Sequence, residues 1–221
     1  MTKLDVRQDV KALNDLKAAE NHGVFDTTGV LVIDMMGSPG AGKTTLLENI
    51  LPALSAQLKA AVIEGDLATE NDALRISKTG VQAIQINTGG GCHLDAGMIA
   101  LELSKLELDK LDLLIIENVG NLVCPASFAL GEDIRMVVLS LAEGDDKPEK
   151  YPVAFLHADV AVITKTDLAP YVDADTEKMK RSISSINPDT LIFEASKHGK
   201  QYDVKGLVDF LVRRVEEKRS K

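Results

Sequence analysis

The sequence predicts an α/β fold in which a mostly parallel sheet is flanked by helices on both faces. Three observations predict it. Short apolar runs alternate with amphipathic stretches along nearly the whole chain, as strands alternate with helices in a parallel sheet. The run at residues 30–36 delivers the chain to Gly37-Ser38-Pro39-Gly40-Ala41-Gly42-Lys43-Thr44, which satisfies GxxxxGK[ST]. Carboxylates then follow two other apolar runs directly, at Glu64-Gly65-Asp66 and at Glu117. Parallel sheets gather their functional groups at the carboxyl ends of strands. Together these features place the chain in the P-loop NTPase class.

The elements read in order as follows. Residues 6–22 carry apolar positions at helical spacing (Val6, Val10, Leu13, Leu16) and stop at Gly23, an N-terminal helix before the core. Residues 30–36 form a strand, 44–58 a helix, 60–63 a strand, 71–78 a helix and 81–86 a strand. Next come a helix at 95–106 and strands at 113–116, 135–141 and 159–163. A helix at 175–186, a strand at 191–193 and a helix at 206–218 complete the pattern. The expected organisation is an N-terminal helical segment, 1–28, followed by one nucleotide-binding domain, 29–221.

Composition excludes several function classes. A net charge of −9 with no basic stripe interleaved with aromatics argues against nucleic acid as a partner. No apolar run approaches the ~18 residues of a membrane span, and the start Met1-Thr2-Lys3-Leu4-Asp5 lacks a secretory layout, so the expectation is a cytoplasmic protein with no membrane partner. Two cysteines, Cys92 and Cys124, do not make a disulfide framework.

The phosphate loop has a direct physical reading. Its backbone N–H groups point inward, and the helix opened by Thr44-Thr45 turns its positive end to the same spot. Lys43 is the expected contact to the β/γ-phosphates, and the Thr44 hydroxyl a ligand of Mg²⁺. Asp66, at a strand terminus, and Glu117 are the expected Mg²⁺ carboxylates; Glu117 follows the four apolar residues Leu113 to Ile116, where a carboxylate is costly to bury unless paired or metal-bound. An exposed turn acid is the plain alternative for Asp66, as a solvated strand end is for Glu117. The N–H of Gly120 is placed for a γ-phosphate.

After the strand at 159–163 comes Thr164-Lys165-Thr166-Asp167, which resembles the NKxD base-recognition motif of GTPases. The Asp167 carboxylate would accept from the guanine ring N–H and exocyclic amine while the Lys165 stem packs on the base; adenine lacks that donor pair. Thr164 stands where asparagine is usual, so weakened guanine affinity with unchanged specificity is expected. Ser196 and Lys197 are candidate contacts to the base edge.

Cys92-His93 follows Asn87-Thr88-Gly89-Gly90-Gly91, and Cys124-Pro125 follows Glu117-Asn118-Val119-Gly120-Asn121, so both cysteines fall at the sheet edge that carries the nucleotide. Thiolate with imidazole suits Zn²⁺ or Ni²⁺. There is no CxxC, and three ligands leave a four-coordinate site one short. Two buried structural cysteines and a site shared across a homodimer both fit these residues.

The strings IEGD (63–66), NTGGGCHLDA (87–96), IENVGNLVCPASF (116–128) and EGDDKPEKYP (143–152) resemble the hydrogenase and urease accessory GTPases, most closely the nickel-incorporation GTPases of hydrogenase maturation. The urease group carries Cys-Pro-His where this chain has Cys92-His93-Leu94 and is the lesser match. The resemblance implies slow hydrolysis of GTP to GDP with Mg²⁺, Ni²⁺ or Zn²⁺ held by Cys92, His93 and Cys124, and nucleotide-dependent homodimerisation. It also implies the small nickel protein HypA and the [NiFe]-hydrogenase large subunit as partners. The rival classes are a metabolic ATPase or kinase and a metal-binding regulatory module with vestigial hydrolysis. An N-terminal cysteine motif and a His-rich store, seen in some family members, do not occur in this sequence, so nickel is expected to be passed on and not stockpiled. The run Gly89 to Gly91 predicts a mobile metal loop.

Overall fold

The computed structural model describes residues 6–66, 71–198 and 201–220. Eight strands form one sheet in the order β3-β2-β4-β1-β5-β6-β7-β8. In chain order the elements are α1 (Val6–Thr28), β1 (Leu31–Gly37), α2 (Lys43–Ser55), β2 (Ala60–Asp66), α3 (Asn71–Ser77), β3 (Gln82–Asn87), α4 (Ala96–Leu103) and β4 (Leu113–Gly120). They continue with β5 (Ile134–Ser140), α5 (Lys147–Lys150), α6 (Pro152–Leu156), β6 (Val160–Thr164), α7 (Thr176–Ile186), β7 (Leu191–His198), β8 (Gln201–Asp203) and α8 (Lys205–Arg219). All pairings are parallel except that of β8, which turns back along the end of β7.

The two-residue period of the strands sorts their side chains between the faces. Leu31, Ile33 and Met35 of β1, with Leu113 and Ile115 of β4, point to the layer made by α2, α3 and α8. Val32, Leu114 and Ile116 point to α1 and α4, while Val137, Leu139, Ala161 and Ile163 meet α6 and α7. Helix α2 carries the largest share, with Leu46, Leu47, Ile50, Leu51 and Leu54 fully buried. Truncating any of these to alanine costs about 2–5 kcal/mol.

Helix α1 departs from the sequence expectation. It runs through Gly23 to Thr28 and stops at Gly29, whose φ of +72° supplies the left-handed turn. Phe25, fully buried, anchors the additional turn against the sheet and outweighs the helical penalty of an exposed glycine. Two buried asparagines fix α1 further. Asn14 accepts from the Ala96 N–H (2.9 Å) and donates to the Ala129 carbonyl (2.9 Å); Asn21 donates to the carbonyls of Ala96 (2.9 Å) and Leu130 (3.0 Å).

Strands β2, β4 and β7 extend beyond their apolar runs. The parallel register continues through Glu64↔Glu117 between β2 and β4 and through Met35↔Glu117 between β1 and β4, so Glu117 lies within a strand and not after one. Ser196 and Lys197 lie within β7, paired with Asp203 and Tyr202 of β8, a strand too short to show an alternating pattern. Asp95 and Asp175, expected as first helical residues, are the caps of α4 and α7, each accepting from first-turn amides. No helix among the described residues is long and apolar enough to cross a membrane.

Candidate functional site

Strand β1 ends at Gly37, where a side chain would meet the Val138 carbonyl at 2.6 Å; only glycine lets the phosphate loop leave the sheet there. Gly40 (φ +79°) and Gly42 (φ +93°) then turn the loop into α2. Gly42 occupies the cap position with no side-chain hydrogen bond, so the first amides of α2 are left for an external anion. Lys43 is buried, its ammonium donating to the Gly37 carbonyl at 3.4 Å across the cradle. Ser38 of the loop hydrogen-bonds the Glu143 carboxylate, and Glu143 in turn pairs with Lys147 at 3.4 Å.

The loop floors a cavity of about 410 Å³. Pro39, Gly40, Gly42, Lys43, Thr44 and Thr45 of the loop and α2 line it together with Glu117 and Gly120 of β4 and Lys165. Gly120 lies so close to Pro39 that a side chain there would come within 3.1 Å of the proline ring. The Thr44 hydroxyl donates to Glu117 Oε1 at 2.9 Å, while Glu117 Oε2 is buried with no hydrogen-bond partner among the described residues. Burial pushes the Glu117 carboxyl up to about 7, against the pull of Lys43 and the Thr44 hydrogen bond. A buried carboxylate oxygen without a partner, next to a hydroxyl and the phosphate cradle, fits a divalent cation. The side chain of Asp66, the other expected Mg²⁺ ligand, lies outside the described residues.

Sequence reasoning missed four groups here. Glu64, not singled out beside Asp66, is buried and lines the cavity as the register partner of Glu117. Counting by twos along β2 from Val62, which faces α2, would have found it. Asp72 and Arg75 reach the cavity from α3. The Arg75 guanidinium is held by Glu48 (2.6 and 3.0 Å), Asp72 (2.9 Å) and the Thr45 hydroxyl (3.1 Å), and the Glu48 bond foremost raises its already high pKa. Asn118, buried, is the fourth.

On the base side, the Thr164 hydroxyl faces the Ala41 carbonyl at 2.6 Å and the Leu139 carbonyl at 3.0 Å. A hydroxyl has a single proton, so Thr164 fastens the phosphate loop to β6 and keeps no donor for a base. Lys165 adopts φ 58° and donates to the Gly40 carbonyl at 2.8 Å. Asp167 accepts from the Lys197 N–H at 3.2 Å, which sets the end of β7 beside this carboxylate; Ser196, next to Lys197, is buried.

Cys92, His93 and Cys124 converge: their ligand atoms all lie within 4.8 Å of one another in a single chain. Cys92 is exposed and Cys124 partly so, which does not fit the alternative of two buried structural cysteines. The His93 ring stacks on Phe128, centroids 4.1 Å apart, and burial pulls its pKa down toward the neutral, metal-binding form. The neighbouring Cys124 thiol, then burial, raise Cys92. The glycine run forms a turn closed by hydrogen bonds. Gly89 and Gly90 take positive φ (59° and 95°), and the Thr88 hydroxyl and carbonyl bond the carbonyl and N–H of Gly91.

Residues 31–194 match the CobW/HypB/UreG nucleotide-binding domain. The chain is similar to the hydrogenase maturation factor HypB of Azotobacter vinelandii, with 47% identity over 193 residues that cover 87% of this chain. It spans 64% of the length of that relative. Among solved structures it resembles the hydrogenase maturation factor HypB from Archaeoglobus fulgidus, with a TM-score of 0.85 and 40% identity over 92% of this chain and 99% of that one. It also resembles HypB from Helicobacter pylori in complex with nickel, with a TM-score of 0.82 and 44% identity over 94% of this chain and 95% of that one.

Proposed function

The chain belongs to the CobW/HypB/UreG family of nucleotide-binding domains and within it to the HypB proteins, and from that premise we propose that it is a GTP-hydrolysing metallochaperone. Its cargo is Ni²⁺ or Zn²⁺ at Cys92, His93 and Cys124, and nickel is handed on during [NiFe]-hydrogenase maturation. The observation that carries this reading is the convergence of those three ligand atoms within 4.8 Å at the end of β4, the strand whose Glu117 and Gly120 line the nucleotide cavity.

Each residue has a role in this reading. The amides of the phosphate loop and Lys43 hold the β/γ-phosphates, and the Gly120 N–H meets the γ-phosphate. Thr44, Asp66 and Glu117 hold Mg²⁺, which when bound neutralises charge on the phosphate oxygens. Asp167 reads guanine, with Lys165, Ser196 and Lys197 beside the base. Glu117 and Gly120 sit a few residues before Cys124, so the presence of the γ-phosphate bears on the metal site. A coupling of about 1–3 kcal/mol, or 5- to 150-fold in metal affinity, suffices for directional release. The working assembly in this reading is a homodimer that receives nickel with HypA and serves the hydrogenase large subunit.

The test is equilibrium titration of Ni²⁺ and Zn²⁺ into the GDP-bound and GTP-analogue-bound protein, with Cys92→Ala alongside. Metal binding that needs Cys92 and differs between nucleotide states is expected. Binding that survives Cys92→Ala, or is the same in both states, overturns the reading.

A further inference from the structure

Resting on the nucleotide-gated metal site proposed above, we infer that two asparagines at the end of β4, Asn118 and Asn121, are the positioning residues that couple the metal loop to the nucleotide. Cys124 is joined to the nucleotide strand through the chain itself. Cys92 and His93 belong to a different loop, after β3, and need a separate connection to β4.

The side chains of the two asparagines make that connection. Asn118 Oδ1 accepts the Leu94 N–H at 3.0 Å, one residue beyond His93, and also its neighbour Val119 N–H at 3.0 Å. Its Nδ2 donates to Asp34 Oδ1 of β1 at 3.0 Å, which fixes the amide orientation from behind. Asn121 Nδ2 donates to the Cys92 carbonyl at 3.1 Å, and its Oδ1 accepts the Val123 N–H at 2.9 Å. Cys92 and Leu94 thus flank His93, with Leu94 pinned to β4 by Asn118 and Cys92 pinned by Asn121 just past its end, on either side of Gly120 in sequence.

Packing reinforces the connection from the neighbouring strand. The Leu94 side chain is fully buried against Gly65 of β2, where a Cβ would come within 2.7 Å of it. A displacement of β4 around Gly120 is therefore delivered to Leu94 and to Cys92 together, and so to the ligand between them. Because Asn118 is buried, its bond to Leu94 cannot be exchanged for water at low cost, which makes the link stiff.

The experiment titrates Ni²⁺ alone into full-length protein saturated with GDP or with a non-hydrolysable GTP analogue, for wild type, Asn118→Ala and Asn121→Ala. The readout is the ratio of the two Ni²⁺ affinities, which simple destabilisation would not move. Wild type should show a ratio in the range of about 5- to 150-fold, and each variant should bring it toward unity, Asn118→Ala the more. Asn121 is partly exposed and its replacement leaves Asp34 and Leu94 untouched, so that variant decides if Asn118→Ala does not fold. A wild-type ratio retained in the folded variants overturns the inference and leaves the gated site standing. A ratio of unity in wild type overturns both.

Discussion

Glu64 of β2 and Glu117 of β4 stand opposite each other in the parallel register, two carboxylates buried at the mouth of the phosphate cradle. Burial pushes Glu117 from its ordinary 4.5 to about 7, and burial together with Glu132 pushes Asp34 from 3.8 to about 7. Through these two carboxyls the folded chain keeps protons that the unfolded one has lost between about 4 and about 7, while His93, held below its ordinary 6.5 by burial, works the other way near the top of that window. Stability of the protein freed of nucleotide and metal is then expected to fall as pH rises through that window, by a few kcal/mol in all. Urea unfolding at a series of pH values checks it. Glu117→Gln should flatten the profile, and a slope of the opposite sign in wild type would refute the assignment.

Thr164 spends its hydroxyl on the Ala41 and Leu139 carbonyls. Thr164→Asn would keep a donor for the loop and add amide groups toward the base. GDP affinity should rise by about 5- to 10-fold, the value of one added hydrogen bond, with discrimination against ADP unchanged. Competitive nucleotide titration measures both, and an unchanged or lower GDP affinity counts against this account of Thr164.

Two glycines should respond in opposite directions to alanine. At Gly37 a methyl group would stand 2.6 Å from the Val138 carbonyl, and Gly37→Ala should cost about 1–3 kcal/mol. At Gly23, exposed inside α1 with nothing within 4 Å, Gly23→Ala should add about 0.5–1 kcal/mol. Thermal unfolding of both variants tests the pair, and Gly23→Ala melting below wild type would show that the helix is not formed at that residue.

The His93 ring is oriented by its stack on Phe128, centroids 4.1 Å apart. Phe128→Ala leaves the ligands in place but frees the imidazole, and Ni²⁺ affinity should fall by about 10-fold, at the lower end of outer-shell effects. Isothermal titration decides; equal affinity would mean the ring is positioned by other contacts.

Much of this was legible in the residues. The phosphate loop, the strand–helix alternation and the fall of both cysteines at one sheet edge follow from spacing and period, whereas a three-ligand set of Cys92, His93 and Cys124 is implied only by the family resemblance, since spacing fits two structural cysteines as well. Other features were not, for identifiable physical reasons. Strand ends were set at the last apolar residue, whereas main-chain pairing carries β4 through Glu117 to Gly120. Glu64 was overlooked because the strand was ended at Ile63, although the two-residue period that puts Val62 on the α2 face continues to Glu64 in β2. Asn118 and Asn121 act on backbone groups of a distant loop, and a side chain that bonds to main chain leaves no periodic trace in sequence. Gly23 reads locally as a helix end, and only the burial of Phe25 carries the helix past it.

The grip of α1 on both main-chain groups of Ala96 has a thermodynamic consequence. Together with the Asn118 bond to Leu94, it holds the chain on the C-terminal side of His93 from two independent elements. Fixing a residue's backbone removes about 1–2 kcal/mol of conformational freedom, and here that ordering is completed when the protein folds. In the proposed reading, an arriving metal ion would meet ligands already preorganised on one flank. Under the proposed function, capture would then cost little entropy and release would require no unravelling of the segment.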